Sequence, residues 1–597
     1  MIEPQPSPLL ALFFFSQLAL NQPSPALIAQ SAVRRLPRLA LLLFCVAYVL
    51  PGLVGRGPWK DVDITTFGVM QQMAITGSDW FHPNLIGITA GFDSLLPYWM
   101  GALAIQVMPF WDPALAARLP YILLLVLTLA ATWYSVYYLA RSPQAQPVAF
   151  AFGGEAKPAD YARAIADAGL LALIACLGLA QLSHETTPAM AQLGFMTLMF
   201  YSVAASPYRS PWRVLGPASG FVVGSVGLAL SGAPTVAALL GLGSVLVEWA
   251  HSRWGGDASD RPNTRGWMQL MLGATLATAA LAYLLDLWVW RIDVAALSRS
   301  EAHKEWGSII RLLLWFPWPA WPLALWTLFR WRRQLTSRHV ALPLWFAIVA
   351  VGTTLLTGAS DRSLLLSLPP LATLAAFALP TLRRSVASLI DWFTLLFFTS
   401  CTIAIWVIWV AMQTGVPKQP AANVAKLAPG FEPSFSALAF GLALLATLAW
   451  AWLVKWRVGQ LRAAIWKSLI LPAGGTTLCW LLLMTLWLPL LDFARSYASL
   501  SHQIARQVNR QACVEVLGLN TAQIAALRYH QKLDLRPVGP DTSCQYLLVD
   551  TDSLKSMGQS VNRAEWERMI LLRRPADRSE NVVVFRRFKP SAAAARP

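Results

Sequence analysis

Apolar segments of roughly 16 to 24 residues alternate with short polar loops along most of the chain. A membrane-spanning helix needs about 20 predominantly apolar residues. The pattern therefore predicts an all-α polytopic membrane protein with about 13 transmembrane helices. The predicted spans are 38–54, 119–140, 168–183, 189–205, 213–231, 234–250, 267–290, 309–329, 340–357, 363–381, 391–412, 435–454 and 467–490.

The amino-acid composition fits this class. Of the 597 residues, 56% are hydrophobic and 13% are charged, whereas a soluble globular protein has about 25% charged residues. The 28 Trp and 40 Pro residues also fit, because Trp collects at membrane interfaces and spanning helices tolerate Pro. These values exclude an ordinary soluble enzyme.

The net charge of +17 is carried mainly by short loops between the apolar segments. Basic residues concentrate in the cytoplasmic loops of membrane proteins, so we interpret the charge as a topology signal and expect no nucleic-acid partner. With the spans counted above, all the basic loops fall on the cytoplasmic side, together with the N-terminus. These loops contain Arg34, Arg35 and Arg38; Arg209 and Arg213; Arg253, Arg261 and Arg265; Arg330, Arg332, Arg333 and Arg338; Arg383 and Arg384; and Lys455, Arg457, Arg462 and Lys467.

The apolar segment 95–110 is not counted as a span. If it crossed the membrane, the later basic loops would be distributed over both sides, so we predict a re-entrant or interface-lying helix on the outer face. The first loop, 55–118, and everything after residue 491 then lie outside the cytoplasm. The chain is thereby divided into a membrane domain, 1–490, and a C-terminal domain, 491–597.

The pattern of the C-terminal domain predicts a small α/β module. Cys513 and Cys544 lie in this domain, and an oxidising compartment would let them form a disulfide; the alternative is two unrelated buried thiols. No nucleophile motif or phosphate-binding loop is recognised there, so we expect a scaffold or acceptor-docking role. The predicted strands are 512–519, 544–550 and 581–588, and the predicted helices are 521–531 and 563–574.

The first outer loop places acids and a lysine at the membrane surface. Between residues 61 and 76, apolar residues recur at intervals of three, which predicts a helix lying in the interface with one face in lipid. Asp61 and Asp63 then stand at its N-terminus, where acids can also serve as caps and complement the helix dipole. The apolar residues are Ile64, Phe67, Met70 and Met73.

Several stretches resemble a known family. PWKDVDITTFGVM (58–70), GSDWFHPN (77–84), LPYWMGAL (96–103) and ARLP (117–120) are together similar to the opening loop of the C-type integral-membrane glycosyltransferases. The resemblance is to the bacterial, glycosyltransferase family 39-like branch, with the aminoarabinose transferases of lipid A and the protein O-mannosyltransferases. GASDRSLLLSLPP (358–370) resembles a later outer loop of that family.

The resemblance implies a transferase whose donor is a sugar on a polyprenyl phosphate. In such an enzyme an acidic residue of the first outer loop takes a proton from the acceptor hydroxyl, and cations neutralise the lipid phosphate that leaves. No metal and no cofactor is implied. The implied location is the bacterial inner membrane, with a periplasmic active site and C-terminus, and the acceptor would be lipid A, a protein or a polysaccharide.

The resemblance also implies roles for individual residues. The acid pair of the family's Pro-Asp-Glu motif falls on Val62 and Asp63, which makes Asp63 the implied base, with Asp61, one residue earlier, as the alternative. Arg118 matches the arginine of the Arg-Leu-Pro motif. Arg362 matches a later basic residue on the phosphate side. Further substrate contacts are expected from Lys60, Asp93, His184, Tyr98 and Trp99, with Glu185 as a second catalytic carboxylate.

Two positions depart from the family pattern: Ser94 replaces a phosphate-binding lysine and Ala189 replaces an aspartate. The site is then rebuilt from other residues, or the donor or reaction has changed, or the chain is a non-catalytic relative. The alternative from another class is a flippase or transporter of a lipid-linked sugar, which would need ionisable groups along a path through the bilayer. The charges gather at one face instead, which favours transfer. The rebuilt site would use Lys60, His184, Glu185 and Arg362.

Overall fold

A bundle of apolar helices leads into a five-stranded sheet near the C-terminal end. The computed structural model describes residues 24–76, 79–89, 91–206, 215–254, 264–288, 302–356, 360–459, 464–509, 511–539 and 544–588. The helices are α1 (Arg38–Val49), α2 (Val62–Thr76), α3 (Leu96–Val107), α4 (Pro113–Ala140), α5 (Pro158–Ala175), α6 (Pro188–Ala205), α7 (Leu215–Leu230), α8 (Pro234–Trp254), α9 (Thr264–Leu284), α10 (Ala302–Trp315), α11 (Ala320–Arg330), α12 (Arg338–Leu356), α13 (Leu368–Ala378), α14 (Arg384–Thr414), α15 (Lys418–Leu427), α16 (Ala437–Gly459), α17 (Lys467–Leu483), α18 (Leu488–Arg495), α19 (Ala498–Ala505) and α20 (Thr521–Gln531), with the short turns Leu179–Leu182, Asp361–Leu364 and Met557–Ser560.

Eight of the described helices are long and apolar enough to cross a membrane, and two bent helix pairs raise this number to ten. The α10–α11 pair bends by 81° and the α17–α18 pair by 71°. Within the described residues, each predicted span overlaps at least one helix, but α1 and α7 are shorter than a span. Helix α5 carries the charged residues Asp160, Arg163 and Asp167. The predicted multi-pass helical fold is therefore confirmed, whereas the count of 13 stays a prediction.

Several of the basic loops meet on one face of the bundle, which we call the basic face. The N–H of Gln30 donates to the carbonyl of Gly154 at 2.9 Å, and the indole N–H of Trp466 donates to the carbonyl of Arg34 at 2.7 Å. The loop between α11 and α12 lies beside Pro25 on the same face. The predicted basic loops at 207–214 and 255–263 lie outside the described residues.

The other face, which we call the site face, holds the first loop and the C-terminal domain. As predicted, this loop forms two helices, α2 and α3, and α3 has only 12 residues, which is too short to span a bilayer. The C-terminal domain contacts the loop directly, because Nζ of Lys60 lies 3.2 Å from Oδ2 of Asp577. The first loop is thus enclosed between the bundle and the C-terminal domain.

The apolar face of α2 is buried in protein, so the prediction that it lies in lipid is wrong. The C-terminal domain covers it: the ring of Phe67 packs edge-on against Tyr529 of α20 at 4.9 Å. The two helices approach so closely that a Cβ on Gly68 would lie 2.5 Å from Cβ of Ala525. The four apolar residues of the repeat are at most 1% exposed: Ile64, Phe67, Met70 and Met73.

The C-terminal domain is a mixed sheet in the order β2-β1-β3-β5-β4. β1 runs parallel to β2 and β3, whereas β5 is antiparallel to β3 and β4. A disulfide joins Cys513 and Cys544, whose Cα atoms are 5.1 Å apart. The strands are β1 (Val514–Leu517), β2 (Leu535–Pro537), β3 (Tyr546–Asp550), β4 (Trp566–Arg574) and β5 (Asp577–Arg587).

Of the two helices predicted in the C-terminal domain, one is present and the other is mostly a strand. The helix predicted at 521–531 is α20, whose first turn is fixed by a capping box between Asn520 and Gln523. The helix predicted at 563–574 is wrong, because most of this segment is strand β4. Pairing with β5 places Leu571 opposite Val583, and this cross-strand packing outweighs the local helix propensity.

Candidate active site

Asp63 stands in the first turn of α2 and is 1% exposed. Its Oδ1 accepts hydrogen bonds from the backbone N–H and the hydroxyl of Thr186, both at 2.8 Å. Its Oδ2 accepts from the N–H of Trp59 at 3.0 Å and from Nη2 of Arg56 at 3.1 Å. A carboxylate offers about four acceptor sites. Asp63 therefore ties the first loop to the loop before α6 and has little acceptor capacity left.

Arg56 is the cation that faces Asp63, and its side chain is fully buried. Its Nη2 also donates to the carbonyl of His184 at 2.8 Å, and its guanidinium lies 4.6 Å from the ring centre of Trp59. Nε and Nη1 of Arg56 have no hydrogen-bond partner within the described ranges. Asp63 is consequently the counter-ion of the buried Arg56.

Arg118 is a second buried cation, positioned by the first turns of α4. Its Nη1 donates to the carbonyl of Arg56 at 2.6 Å and to that of Leu53 at 3.3 Å. Burial alone would raise the pKa of Asp63, but Arg56, Arg118 and the donated hydrogen bonds hold that pKa below its ordinary value. Asp63 is therefore an anion at neutral pH.

Glu185 lies one residue before Thr186 and is 2% exposed. Its Oε1 accepts from Nε2 of Gln181 at 2.9 Å, and its Oε2 accepts from Nη2 of Arg362 at 3.0 Å. Burial and the nearby charge of Asp63 raise the pKa of Glu185. With two such donors instead of four, Glu185 keeps lone-pair sites for a further hydrogen bond.

Arg362 is the part of this cluster that reaches solvent, with 26% of its side chain exposed. Its Nη1 lies 4.0 Å from Oδ1 of the neighbouring Asp361, which is a long ion pair. Nε of Arg362 has no hydrogen-bond partner among the residues that the structure describes. The exposed part of the guanidinium can donate to an anion while Nη2 still holds Glu185.

His184 makes its hydrogen bonds within the protein, mostly with backbone carbonyls and also with the hydroxyl of Ser183, which lies 3.2 Å from Nδ1. Nδ1 lies 2.6 Å from the carbonyl of Ala180, and Nε2 lies 3.1 Å from that of Tyr48 and 3.2 Å from that of Val49. Burial, helped by the charge of Arg56, lowers the pKa of His184 to about 4. The neutral ring thus connects α1 to the loop that carries Glu185, which suits a positioning role.

Lys60 and Asp61 lie in the same loop, but the contacts described for them lead away from Asp63. Lys60 pairs with Asp577, and its N–H donates to the carbonyl of Arg495 at 2.7 Å. Asp61 is exposed and has φ +66°. Its carbonyl accepts from the hydroxyl of Thr65 at 2.8 Å, which fits the alternative that it marks the start of α2.

The remaining predicted residues lie around α3. Asp93 is half-buried just before this helix. Tyr98 is buried, and so is Ser94, the residue that replaces the expected lysine. The indole N–H of Trp99 donates to the carbonyl of Trp80 at 2.7 Å. The structure therefore brings together five of the predicted residues, and the contacts described for Lys60, Asp61 and Trp99 lie elsewhere. The five are Asp63, Arg118, His184, Glu185 and Arg362.

Sequence reasoning missed Arg56, Thr186 and Asp492. Oδ1 of Asp492 accepts from the N–H of Gly57 at 2.9 Å and from the indole N–H of Trp59 at 3.1 Å. An acid inside the apolar α17–α18 segment is a signal that could have identified Asp492. Arg56 gave a weaker signal, because the sequence does not reveal whether Arg56 or Lys60 turns inward.

Comparison with known proteins gives a match at the level of structure. No protein-family model and no curated protein matches the chain. A crystal structure of ArnT from Cupriavidus metallidurans, bound to undecaprenyl phosphate, superposes with a TM-score of 0.60 at 14% identity, covering 94% of this chain and 99% of that one. This chain has the fold of ArnT. ArnT in its apo state gives a TM-score of 0.54 at 16% identity, over 94% and 98% of the two chains.

The ArnT-like fold agrees with the layout that the resemblance implied. It combines many apolar helices with a small C-terminal sheet domain, and it extends over nearly the whole chain, including the C-terminal domain in which no motif was recognised. At such low identity the likeness establishes the fold, and the chemistry has to be argued from this chain's own residues.

Proposed function

We propose that the chain transfers a sugar from a polyprenyl-phosphate donor to an acceptor hydroxyl or phosphate at the periplasmic face of the bacterial inner membrane. The observation that carries this proposal is the Glu185–Arg362 pair, in which a buried carboxylate of raised pKa contacts a partly exposed guanidinium. The undecaprenyl phosphate bound to ArnT supports a lipid-linked donor.

Glu185 is the base in this proposal when the acceptor is a hydroxyl. It takes the hydroxyl proton while the acceptor oxygen forms a bond to the anomeric carbon of the donor. The bond between that carbon and the phosphate oxygen breaks, and the lipid phosphate leaves with the electron pair. A raised pKa suits this role, because a base works best when its pKa is near the operating pH.

Arg362 stabilises the leaving group. The lipid phosphate gains negative charge as its bond to the sugar breaks, and a guanidinium held in place offsets that charge. About a quarter of the Arg362 side chain is exposed, at 26%, and Glu185 fixes the position of the side chain. With Ser94 in place of the lysine, the phosphate contact falls mainly to Arg362, and Lys60 stays a predicted second contact.

The geometry assigns Asp63 a different role from the one that the resemblance implied. Four donated hydrogen bonds occupy its carboxylate, and its pKa is lowered. An acid in this state is a weak proton acceptor. Asp63 instead positions Thr186 next to Glu185, and its negative charge contributes to the raised pKa of Glu185.

The test uses purified protein in lipid nanodiscs with radiolabelled polyprenyl-phosphate sugars and a membrane extract as acceptor source. Wild type is compared with Glu185→Gln and with the control Asp361→Asn, which removes the neighbouring exposed acid. General-base loss typically costs about 10²- to 10⁴-fold in rate, so label transfer should collapse in Glu185→Gln and persist in Asp361→Asn. Full transfer by Glu185→Gln would remove Glu185 as base, and labelled lipid crossing liposomes without product would indicate a flippase.

A further inference from the structure

A polar pocket of about 370 Å³ opens on the basic face, at the C-terminal end of α11. It lies across the bundle from the site face and plays no part in the proposed transfer. The loop that follows α11 supplies most of its lining, and three of the lining residues are arginines. They are Arg330, Arg332 and Arg333, with Phe329, Trp331 and Gln334 between and beside them.

The backbone that carries these arginines is firmly anchored. Trp331 is 1% exposed, and its indole N–H donates to the carbonyl of Phe377 on α13 at 3.1 Å. Gln334 is also buried, and its N–H donates to the carbonyl of Trp331 at 2.7 Å. The anchoring residues alternate with the arginines, so a rigid turn holds the guanidinium groups around the pocket.

Two of the three arginines carry the charge that this pocket offers to a ligand. Arg330 and Arg332 are exposed, and neither forms an ion pair with a carboxylate in the ranges that the structure describes. The guanidinium of Arg332 lies 5.1 Å from the ring centre of Phe329. The topology rule explains why basic residues are present on this face, but it does not require three of them to converge on one pocket.

An apolar strip leads from the pocket along α11. Leu325 is 56% exposed and Phe329 is 61% exposed, and residues four apart lie on the same face of a helix. Leu335, just beyond the pocket, is 39% exposed. A ligand that fits this surface has an anionic head for the arginines and hydrocarbon chains for the strip.

We propose that this pocket binds the phosphate headgroup of an anionic phospholipid from the adjoining leaflet, with its acyl chains along Leu325 and Phe329. Guanidinium groups form bidentate, charge-assisted hydrogen bonds with phosphate oxygens. Basic pockets at the cytoplasmic ends of membrane helices are suited to such headgroups. A bound lipid would hold the bent α10–α11 pair against the bundle at the point where the pair meets the membrane surface.

The test measures lipid binding by the full-length protein in detergent with native mass spectrometry. The probes are phosphatidylglycerol, phosphatidylcholine and inorganic phosphate. Arg330→Gln/Arg332→Gln is compared with Arg383→Gln/Arg384→Gln, a control that removes the same charge from another basic loop. We expect phosphatidylglycerol to bind the wild-type protein. Its affinity for the pocket variant should be at least tenfold lower, and its affinity for the control variant should be within twofold of wild type. Phosphatidylcholine binding should not change.

Three results would overturn the proposal. Equal weakening of lipid binding in both double variants would indicate general attraction to a basic face. Displacement of the lipid by millimolar inorganic phosphate would indicate a site for free anions. Equal binding of both lipids would indicate that the headgroup is not recognised. If the pocket variant fails to fold, Arg332→Lys serves instead. It keeps the charge but loses the bidentate geometry, so it should bind phosphatidylglycerol about threefold more weakly.

Discussion

The two halves of the candidate site hold carboxylates that are equally buried but differently used. The closed half consists of Arg56, Asp63 and Thr186, and every acceptor site of its carboxylate is occupied. The open half consists of Glu185 and Arg362, in which the acid has two donors and the arginine reaches solvent. Burial alone therefore does not mark a catalytic base, because the number of donors decides whether a buried acid holds structure or accepts a proton.

The largest effect is expected on protein stability, from a substitution in the closed half. Asp63→Asn leaves the buried Arg56 without its counter-ion, and breaking a buried ion pair typically costs about 3–5 kcal/mol in free energy of unfolding. Thermal melting in detergent should show this loss, while the adjacent exposed control, Asp61→Asn, should melt close to wild type. An Asp63→Asn protein that melts normally but has no activity would reverse the roles of the two halves.

Arg362→Gln should affect the rate and leave the fold nearly unchanged. A donor that stabilises developing charge is worth about 10²- to 10³-fold in kcat. The stability cost should stay below that of Asp63→Asn, because the buried Glu185 that loses its partner has a raised pKa and can take up a proton. Arg362→Lys keeps the charge and should recover part of kcat. Steady-state kinetics with a labelled donor measures both variants, and a change confined to KM would assign Arg362 to ground-state binding.

The pH dependence should differ in sign between the halves. Glu185 must be deprotonated to act as base, so kcat/KM should fall about tenfold per pH unit below its raised pKa. The native state holds this proton more tightly than the unfolded chain, so Glu185 lowers the free energy of unfolding as pH rises through the raised pKa. Asp63 affects the free energy of unfolding with the opposite sign. Its stabilising contribution is present above a pH of about 3.9 and is lost as the pH falls through the lowered pKa of Asp63.

A pH–rate profile of wild type beside an acid melting series checks both signs. Glu185→Gln supplies the control, because it should remove the acid limb of any residual rate and leave the acid melting of Asp63 in place. A profile whose acid limb lies below the ordinary range of a carboxyl group would contradict the assignment of Glu185 as base.

The smallest effect is expected at the contact between the first loop and the C-terminal domain. Lys60 and Asp577 are 34% and 28% exposed, and such pairs contribute about 0–1 kcal/mol to stability. A double-mutant cycle with Lys60→Gln and Asp577→Asn should therefore give a small coupling energy. A loss of transfer in Lys60→Gln with Asp577→Asn unaffected would instead support the predicted phosphate contact.

Local patterns in the sequence predicted much of the fold. The intervals of three in 61–76 correspond to α2, and the apolar runs correspond to helices, because both patterns reflect contacts between near neighbours. The strand β4 was mistaken for a helix since its partner β5 is set by the tertiary fold. The burial of α2 could not be predicted either, because the surface that covers it belongs to α20.

The sequence could predict which residues lie together in the candidate site, but it could not predict what each residue does there. The sequence identified Asp63, Glu185 and Arg362, which the fold brings into one cluster. It could not count the donors around each acid, because the N–H groups and the arginine that saturate Asp63 come from separate loops. Arg56 was missed for the same reason, since its inward orientation depends on the complete fold.

The close approach of Gly68 to Ala525 has a consequence for biogenesis. The ribosome makes the two residues several hundred positions apart, so the first loop is inserted long before its cover exists. Until the C-terminal domain has been translated and has reached the same side of the membrane as the first loop, the apolar face of α2 stays exposed to solvent or chaperones. We therefore expect a nascent chain that has completed its helical bundle to remain inactive until the C-terminal domain packs on α2.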